Sequence, residues 1–213
     1  VKLAIVAGGP EELLPDLDSQ EYDEFKWIGA DHGTLVILKS NRKPIRAFGD
    51  FDSLSDIEKE AVLRSSMKIE TFPPEKDRTD LEIALEWALK QNPEKLLVFG
   101  ATGGRVDHML SAVQLLLSVT QAGVDGSIVD RKNCVTLLPP GTYHIKKNAG
   151  YPYLSFLSLT GSVRGLTLKG VKYPLTDTEL PVGSSLCISN EPVGCQFTVS
   201  LSAGYLLMMR CRD

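Results

Sequence analysis

The feature that most constrains this chain is a change of hydrophobic rhythm near residue 131. Before it, short apolar runs alternate with stretches of helical period. After it, only short runs divided by turn signals remain. LAIVAG, KWIGAD, IRAFGD, MKIETF and KLLVFG read as five strands, and GSIVD at 126–130 as a sixth. Between them, Ser55 with Glu58 and Thr79 with Glu82 have the spacing of capping boxes. The first predicts a polar helix to about Ser65. The second opens DLEIALEWALKQ, where Leu81, Ala84, Leu85, Ala88 and Leu89 form one apolar stripe. A further helix is predicted over His108–Gln121. Such alternation predicts a mainly parallel α/β domain over residues 1–130.

The remainder, 131–213, carries the runs VTLLPPGTYHI, YLSFLSLTG, LTLKG, SLCIS, CQFTVSL and YLLMMR. Pro139-Pro140-Gly141, Asn148-Ala149-Gly150 and Ser202-Ala203-Gly204 punctuate them, and no helical stripe stands out. This predicts an all-β second domain, a small β-sandwich. The expected fold class is therefore α/β followed by all-β, with a short junction.

Charge narrows the function classes. Residues 1–132 hold 16 Lys and Arg against 23 Asp and Glu, whereas residues 133–213 hold 7 against 4. An acidic first domain speaks against a nucleic-acid partner, which needs a basic face. No apolar run approaches the roughly 18 residues of a membrane span, so no membrane partner is expected. VKLAIVAGG lacks the order of a signal peptide and reads as a first strand. Cys134, Cys187, Cys195 and Cys211 form no CxxC pair. They read as buried free thiols in a cytoplasmic protein.

In a parallel sheet, ligands bind at the carboxyl ends of the strands. Asp31 ends the second strand, Asp50 and Asp52 follow the third, Asp77 and Asp80 the fourth, and Arg105 and Asp107 the fifth. Parallel strands bring all of them to one edge. Carboxylates so gathered repel one another, and a hard divalent cation such as Mg²⁺ relieves that repulsion while bridging to substrate phosphates. Each aspartate also has a structural reading, because Asp caps helices and starts turns. Asp80, just after the Thr79 cap, complements the helix dipole. Lys76 and Arg78 flank Asp77 and can pair with it or with phosphates. GATGGRVDH at 100–108 offers Gly100, Gly103 and Gly104 for close backbone approach to an anion and Arg105 for a bidentate grip. It is neither a P-loop nor GxGxxG, and a tight turn with an exposed arginine explains it equally well. Asp107 reads alternatively as an N-cap, and Gly8-Gly9-Pro10 as a turn or a nucleotide approach point.

Taken in order, GDFDS at 49–53, KDRTD at 76–80 and GGRVDH at 103–108 resemble the thiamine pyrophosphokinase family. GVKYPL at 170–175 and SNE at 189–191 extend the resemblance into the β-rich part. The resemblance implies an enzyme that moves the pyrophosphoryl group of ATP onto the hydroxyl of thiamine, releasing AMP. It implies Mg²⁺ at Asp50, Asp52 and Asp80, with Asp77 close by. Arg105 and Asp107 would position the phosphates and the reacting hydroxyl. Asp31, Gly33, Lys76, Arg78, Thr79, Gly103 and Gly104 would complete the ATP site. Tyr173, Ser189 and Asn190 would meet thiamine, with Asp107 nearby. A homodimer is implied, its thiamine site lying between one subunit's α/β domain and the partner's sandwich. The family's loop after the second strand often reads Ala-Asp-Gly-Gly. Here it is Ala30-Asp31-His32-Gly33, so an imidazole stands where glycine is common.

Overall fold

The computed structural model describes residues 1–51, 54–64, 68–71 and 77–213. The chain forms two compact units, Val1–Arg131 and Lys132–Asp213.

In the first unit the strands are β1 (Lys2–Val6), β2 (Phe25–Ala30), β3 (Pro44–Gly49), β4 (Lys68–Thr71), β5 (Lys95–Phe99) and β6 (Asp125–Val129). The helices are α1 (Gly33–Lys39), α2 (Asp56–Arg64), α3 (Asp80–Leu89) and α4 (Val106–Gln121). Strands run in the order β4-β3-β2-β1-β5-β6, and every neighbouring pair is parallel. The chain steps outward from β1 to β4, then returns to β5 on the other side of β1. The connections after β1 and β5 therefore run to opposite sides of the sheet order, and a crevice lies at the carboxyl ends of these strands.

Side-chain alternation sorts the strand residues onto two faces. Leu3, Ile5, Ile28, Phe48 and Leu96 pack with Ala84, Leu85 and Ala88 of α3. Ala4, Val6, Trp27, Leu97 and Phe99 pack with Val36 and Ile37 of α1 and with Tyr22. Trp27 stacks on Phe99 with ring centroids 5.8 Å apart. Both faces are covered, which is why the central strands read as continuous apolar runs.

The Ser55 capping box closes in both directions, whereas Thr79 caps its helix in one. Ser55 N donates to Glu58 Oε2 at 2.9 Å, and Glu58 N returns to Ser55 Oγ at 3.4 Å. Glu82 N donates to Thr79 Oγ1 at 3.2 Å. Helix α4 begins at Val106 rather than at His108, with Arg105 at the cap position. Asp107 thus sits inside the first turn and is not the N-cap.

The second unit contains β7 (Asn133–Leu138), β8 (Gly141–Lys146), β9 (Tyr153–Ser158), β10 (Val163–Lys169), β11 (Leu175–Leu180), β12 (Gln196–Leu201) and β13 (Leu206–Cys211). One antiparallel sheet runs β7-β13-β9 and the other β11-β10-β12-β8. Leu154, Phe156, Leu206 and Met208 from the first meet Leu166, Leu168, Phe197 and Val199 from the second in one buried core. This is the β-sandwich expected from the sequence. Two details differ. SLCIS forms turns instead of a strand, with Cys187 buried in the core. LTDTEL, which lacks an apolar rhythm, forms β11 at the edge of its sheet with an irregular register against β10.

Candidate active site

The crevice at the ends of β1 and β5 is a cavity of about 860 Å³. One side is laced backbone to backbone. Ala7 N donates to Phe99 O and Gly9 N to Gly100 O, both at 2.8 Å. A side chain at Gly9 would collide with the Gly100 carbonyl, and Gly100 adopts φ +66. Glycine is required at both positions because the two loops touch and one turns left-handed. Gly8, Gly9, Gly100, Thr102, Gly104 and Arg105 all face the cavity.

The opposite side is acidic. Asp31 after β2, Asp50 after β3, and Asp77 and Asp80 at the start of α3 line the same cavity. The backbone of Asp31 is left-handed at φ +49, and its N–H donates to Phe48 O at 2.7 Å. Its Oδ1 is buried without a hydrogen-bond partner. Burial, then the charge of Asp80, and more weakly that of Asp50, hold the Asp31 carboxyl above the ordinary carboxylate range. Phe51, at φ +56 and only 6% exposed, packs among Leu35, Ala47, Leu54 and Val62 and anchors the loop that carries Asp50. Asp52 lies outside the described residues. Among the described residues, no three or more His, Cys, Asp or Glu side chains gather closely enough to hold a metal ion. An orphaned buried carboxylate oxygen facing two further aspartates is nonetheless the kind of site whose chemistry suits a cation.

The basic groups are already paired. Arg105 Nη2 and Nε donate to the two oxygens of Asp107 at 2.6 and 3.1 Å. That side-chain pairing, aided by the His108 N–H, pulls the Asp107 carboxyl down to about 2. Arg78 Nη1 donates to Glu86 at 2.6 and 2.8 Å, so this side chain reaches onto α3. Lys76 lies outside the described residues. His32 lines the cavity and its Nε2 meets Glu11 Oε1 at 3.1 Å, while Lys39 Nζ donates to the same oxygen at 3.0 Å.

Three expected residues stand back from the cavity wall. Gly33 is buried where a side chain would strike the Val6 carbonyl, so helix–strand packing dictates glycine there. Gly103 faces Leu13. Asp107 points along α4 to Arg105. Sequence reading missed Glu11 and Thr102 in the wall. Thr102 sits within the glycine-rich segment and was open to inspection; Glu11 enters from a long connection that carries no motif.

In the second unit, Asn190 is 2% exposed. Its Oδ1 accepts from Tyr173 N at 3.0 Å and Glu191 N at 2.9 Å, and its Nδ2 donates to Tyr173 O at 2.9 Å. Asn190 therefore clips the loop that presents Tyr173, leaving one amide hydrogen uncommitted by these bonds. Tyr173 is 58% exposed, with Lys172 Nζ 5.6 Å from its ring centroid. Ser189 is exposed, has φ +58, and donates its N–H to Ser155 Oγ at 3.0 Å.

The family model for the thiamin pyrophosphokinase catalytic domain matches residues 20–126, and that for its vitamin B1 binding domain matches residues 142–206. The thiamine pyrophosphokinase of Bacillus subtilis is 40% identical over 209 residues, 98% of each chain. The crystal structure from that organism superposes with a TM-score of 0.94 at 39% identity, covering 100% of both chains. A thiamin pyrophosphokinase structure from Geobacillus thermodenitrificans gives 0.91 at 44% identity, covering 100% of this chain and 98% of the other.

Proposed function

The chain belongs to the thiamine pyrophosphokinase family and has the activity of a thiamine diphosphokinase; from this premise we propose how its residues carry out the transfer. The thiamine hydroxyl attacks the β-phosphorus of ATP, the bridge to the α-phosphate breaks, and AMP leaves as the hydroxyl proton is lost. Such a reaction asks the protein chiefly to position groups and stabilise charge.

The observation that carries this reading is the acidic wall facing a glycine-laced loop pair across one cavity, with Asp31 Oδ1 buried and unpartnered. Asp50, Asp52 and Asp80 would hold Mg²⁺, which when bound neutralises phosphate charge and orients the β-phosphoryl group. Asp77 and Asp31 border that position. Backbone N–H groups around Gly103 and Gly104 approach the triphosphate, Arg78 and Thr79 flank it from the start of α3, and Lys76 is proposed as a further partner of the phosphates. Arg105 keeps its Asp107 partner and offers its remaining guanidinium N–H groups to phosphate oxygens. Asp107, held ionised by Arg105, is a weak base, so its part is to orient rather than to abstract a proton. Gly33 serves the site through packing, by letting α1 sit against β1.

Thiamine binds at the sandwich, where exposed Tyr173 stacks on its aromatic cationic rings and Ser189 and the spare Asn190 N–H read the aminopyrimidine. The enzyme works as a homodimer with thiamine between one subunit's α/β domain and the partner's sandwich. Exposed Val182, Leu186, Ile188 and Val193 support an interface on that unit. All four cysteines are free and support a cytoplasmic setting, but only Cys134 and Cys187 are buried as expected; Cys195 is exposed and Cys211 partly so. Among the described residues no helix is long and apolar enough to cross a membrane.

Metal removal tests the reading. With ATP and thiamine present, EDTA abolishes turnover and excess Mg²⁺ restores it, without a change in far-UV circular dichroism. Undiminished turnover in EDTA would refute the metal assignment.

A further inference from the structure

Asp130, immediately after β6, is 3% exposed and is the one buried ionisable carboxylate among the described residues of the core. Burying a carboxylate is costly unless hydrogen bonds compensate it, so its position calls for a reason. Thr102 Oγ1 donates to Asp130 Oδ2 at 2.6 Å. Thr102 belongs to the loop between β5 and α4 and faces the cavity. The next residue ties down the other loop at the crevice. Arg131 N donates to Leu13 O at 2.8 Å, and Arg131 Nη1 to Glu12 O at 3.2 Å. Leu13 in turn sits against Gly103, where any side chain would collide with it.

We infer that Asp130 and Arg131 form a staple that fixes both loops of the β1/β5 crevice, making Asp130 a positioning residue for the ATP phosphates. The physical reason is pre-organisation. A glycine-rich loop has high backbone freedom, and ordering it on binding would weaken affinity for the anion it receives. The hydrogen bond that Thr102 donates to the buried Asp130 carboxyl group removes that freedom beforehand. Asp130 itself does not touch substrate; it acts through Thr102. The inference rests on the assignment of this cavity to ATP.

Thr102→Val keeps the shape of the side chain and deletes the donor; Thr102→Ser keeps the donor. Titration calorimetry of the full chain with a non-hydrolysable ATP analogue and Mg²⁺, and separately with thiamine, reads each ligand. The expected result is analogue affinity weakened about tenfold or more in Thr102→Val. Thiamine affinity stays within about twofold, and Thr102→Ser restores most of the analogue affinity. Asp130→Asn, if it folds, weakens the analogue in the same direction. Unchanged analogue affinity in Thr102→Val would overturn the inference. So would Thr102→Ser as weak as Thr102→Val, or a parallel loss of both ligands with a collapsed Tm. Wild-type protein that binds thiamine but no ATP analogue would instead defeat the ATP assignment on which the inference stands.

Discussion

Asp31 and Asp107 lie on different loops and are pushed in opposite directions by their surroundings. The Asp31 carboxyl is raised by burial and by the charges of Asp80 and Asp50. Ionising it costs stability above its folded pKa, and the cost fades as pH falls toward the ordinary value near 3.8. Asp31→Asn should therefore raise Tm in metal-free buffer at pH 7, with the gain shrinking toward pH 4. Asparagine tolerates the left-handed backbone at this position, which keeps the comparison clean. A lower Tm in metal-free buffer would show that the carboxylate is structurally needed. Asp107 is the reverse. Its pairing with Arg105 is fully present above about 3.8 and is lost as pH falls through about 2. No limb of a pH–rate profile between pH 5 and 9 should belong to it.

Asp50→Asn is expected to cut turnover by about two orders of magnitude or more while leaving the urea midpoint unchanged or raised. An unfolded variant whose folded fraction keeps full specific activity would make Asp50 structural. These aspartates were legible in the sequence because each follows a strand of one parallel sheet, and that topology alone brings them to one edge. Asp130 was not legible as a partner of Thr102: 28 residues separate them, and only the adjacency of β5 and β6 brings the two together.

Among the elements, those with local signals were readable. Ser55 marks its helix because it and Glu58 satisfy each other's backbone, and Thr79 marks its own because its hydroxyl accepts from Glu82 N. Thr79→Ala removes the acceptor for Glu82 N and should cost about 0.5–2 kcal/mol in chemical denaturation. A change under about 0.2 kcal/mol would mean that packing of the α3 stripe sets the helix start by itself. The errors also have local causes. SLCIS has the composition of a strand, yet its backbone serves turns that bury Cys187 and let Phe156 N bond Cys187 O at 3.0 Å. β11 was hidden because an edge strand with one solvated face needs little apolar content, and its Asp177 sits at φ +45. The start of α4 moved two residues forward because Arg105, a poor capping residue, takes the cap position with no side-chain bond to mark it.

At the scale of the molecule, the change of rhythm near residue 131 announced an α/β fold followed by a β-sandwich, since covered parallel strands and sandwich strands differ in period and connection. Where substrates meet is the part that periodicity does not encode, because it depends on loops brought together from distant strands. In the proposed reaction two phosphoryl groups move as one unit onto thiamine. The most direct measurement follows all three phosphorus atoms of ATP by ³¹P NMR during turnover with Mg²⁺ and thiamine. The β and γ phosphorus should appear together in thiamine diphosphate while the α phosphorus appears as AMP in equal amount. Accumulation of ADP with thiamine monophosphate would contradict it.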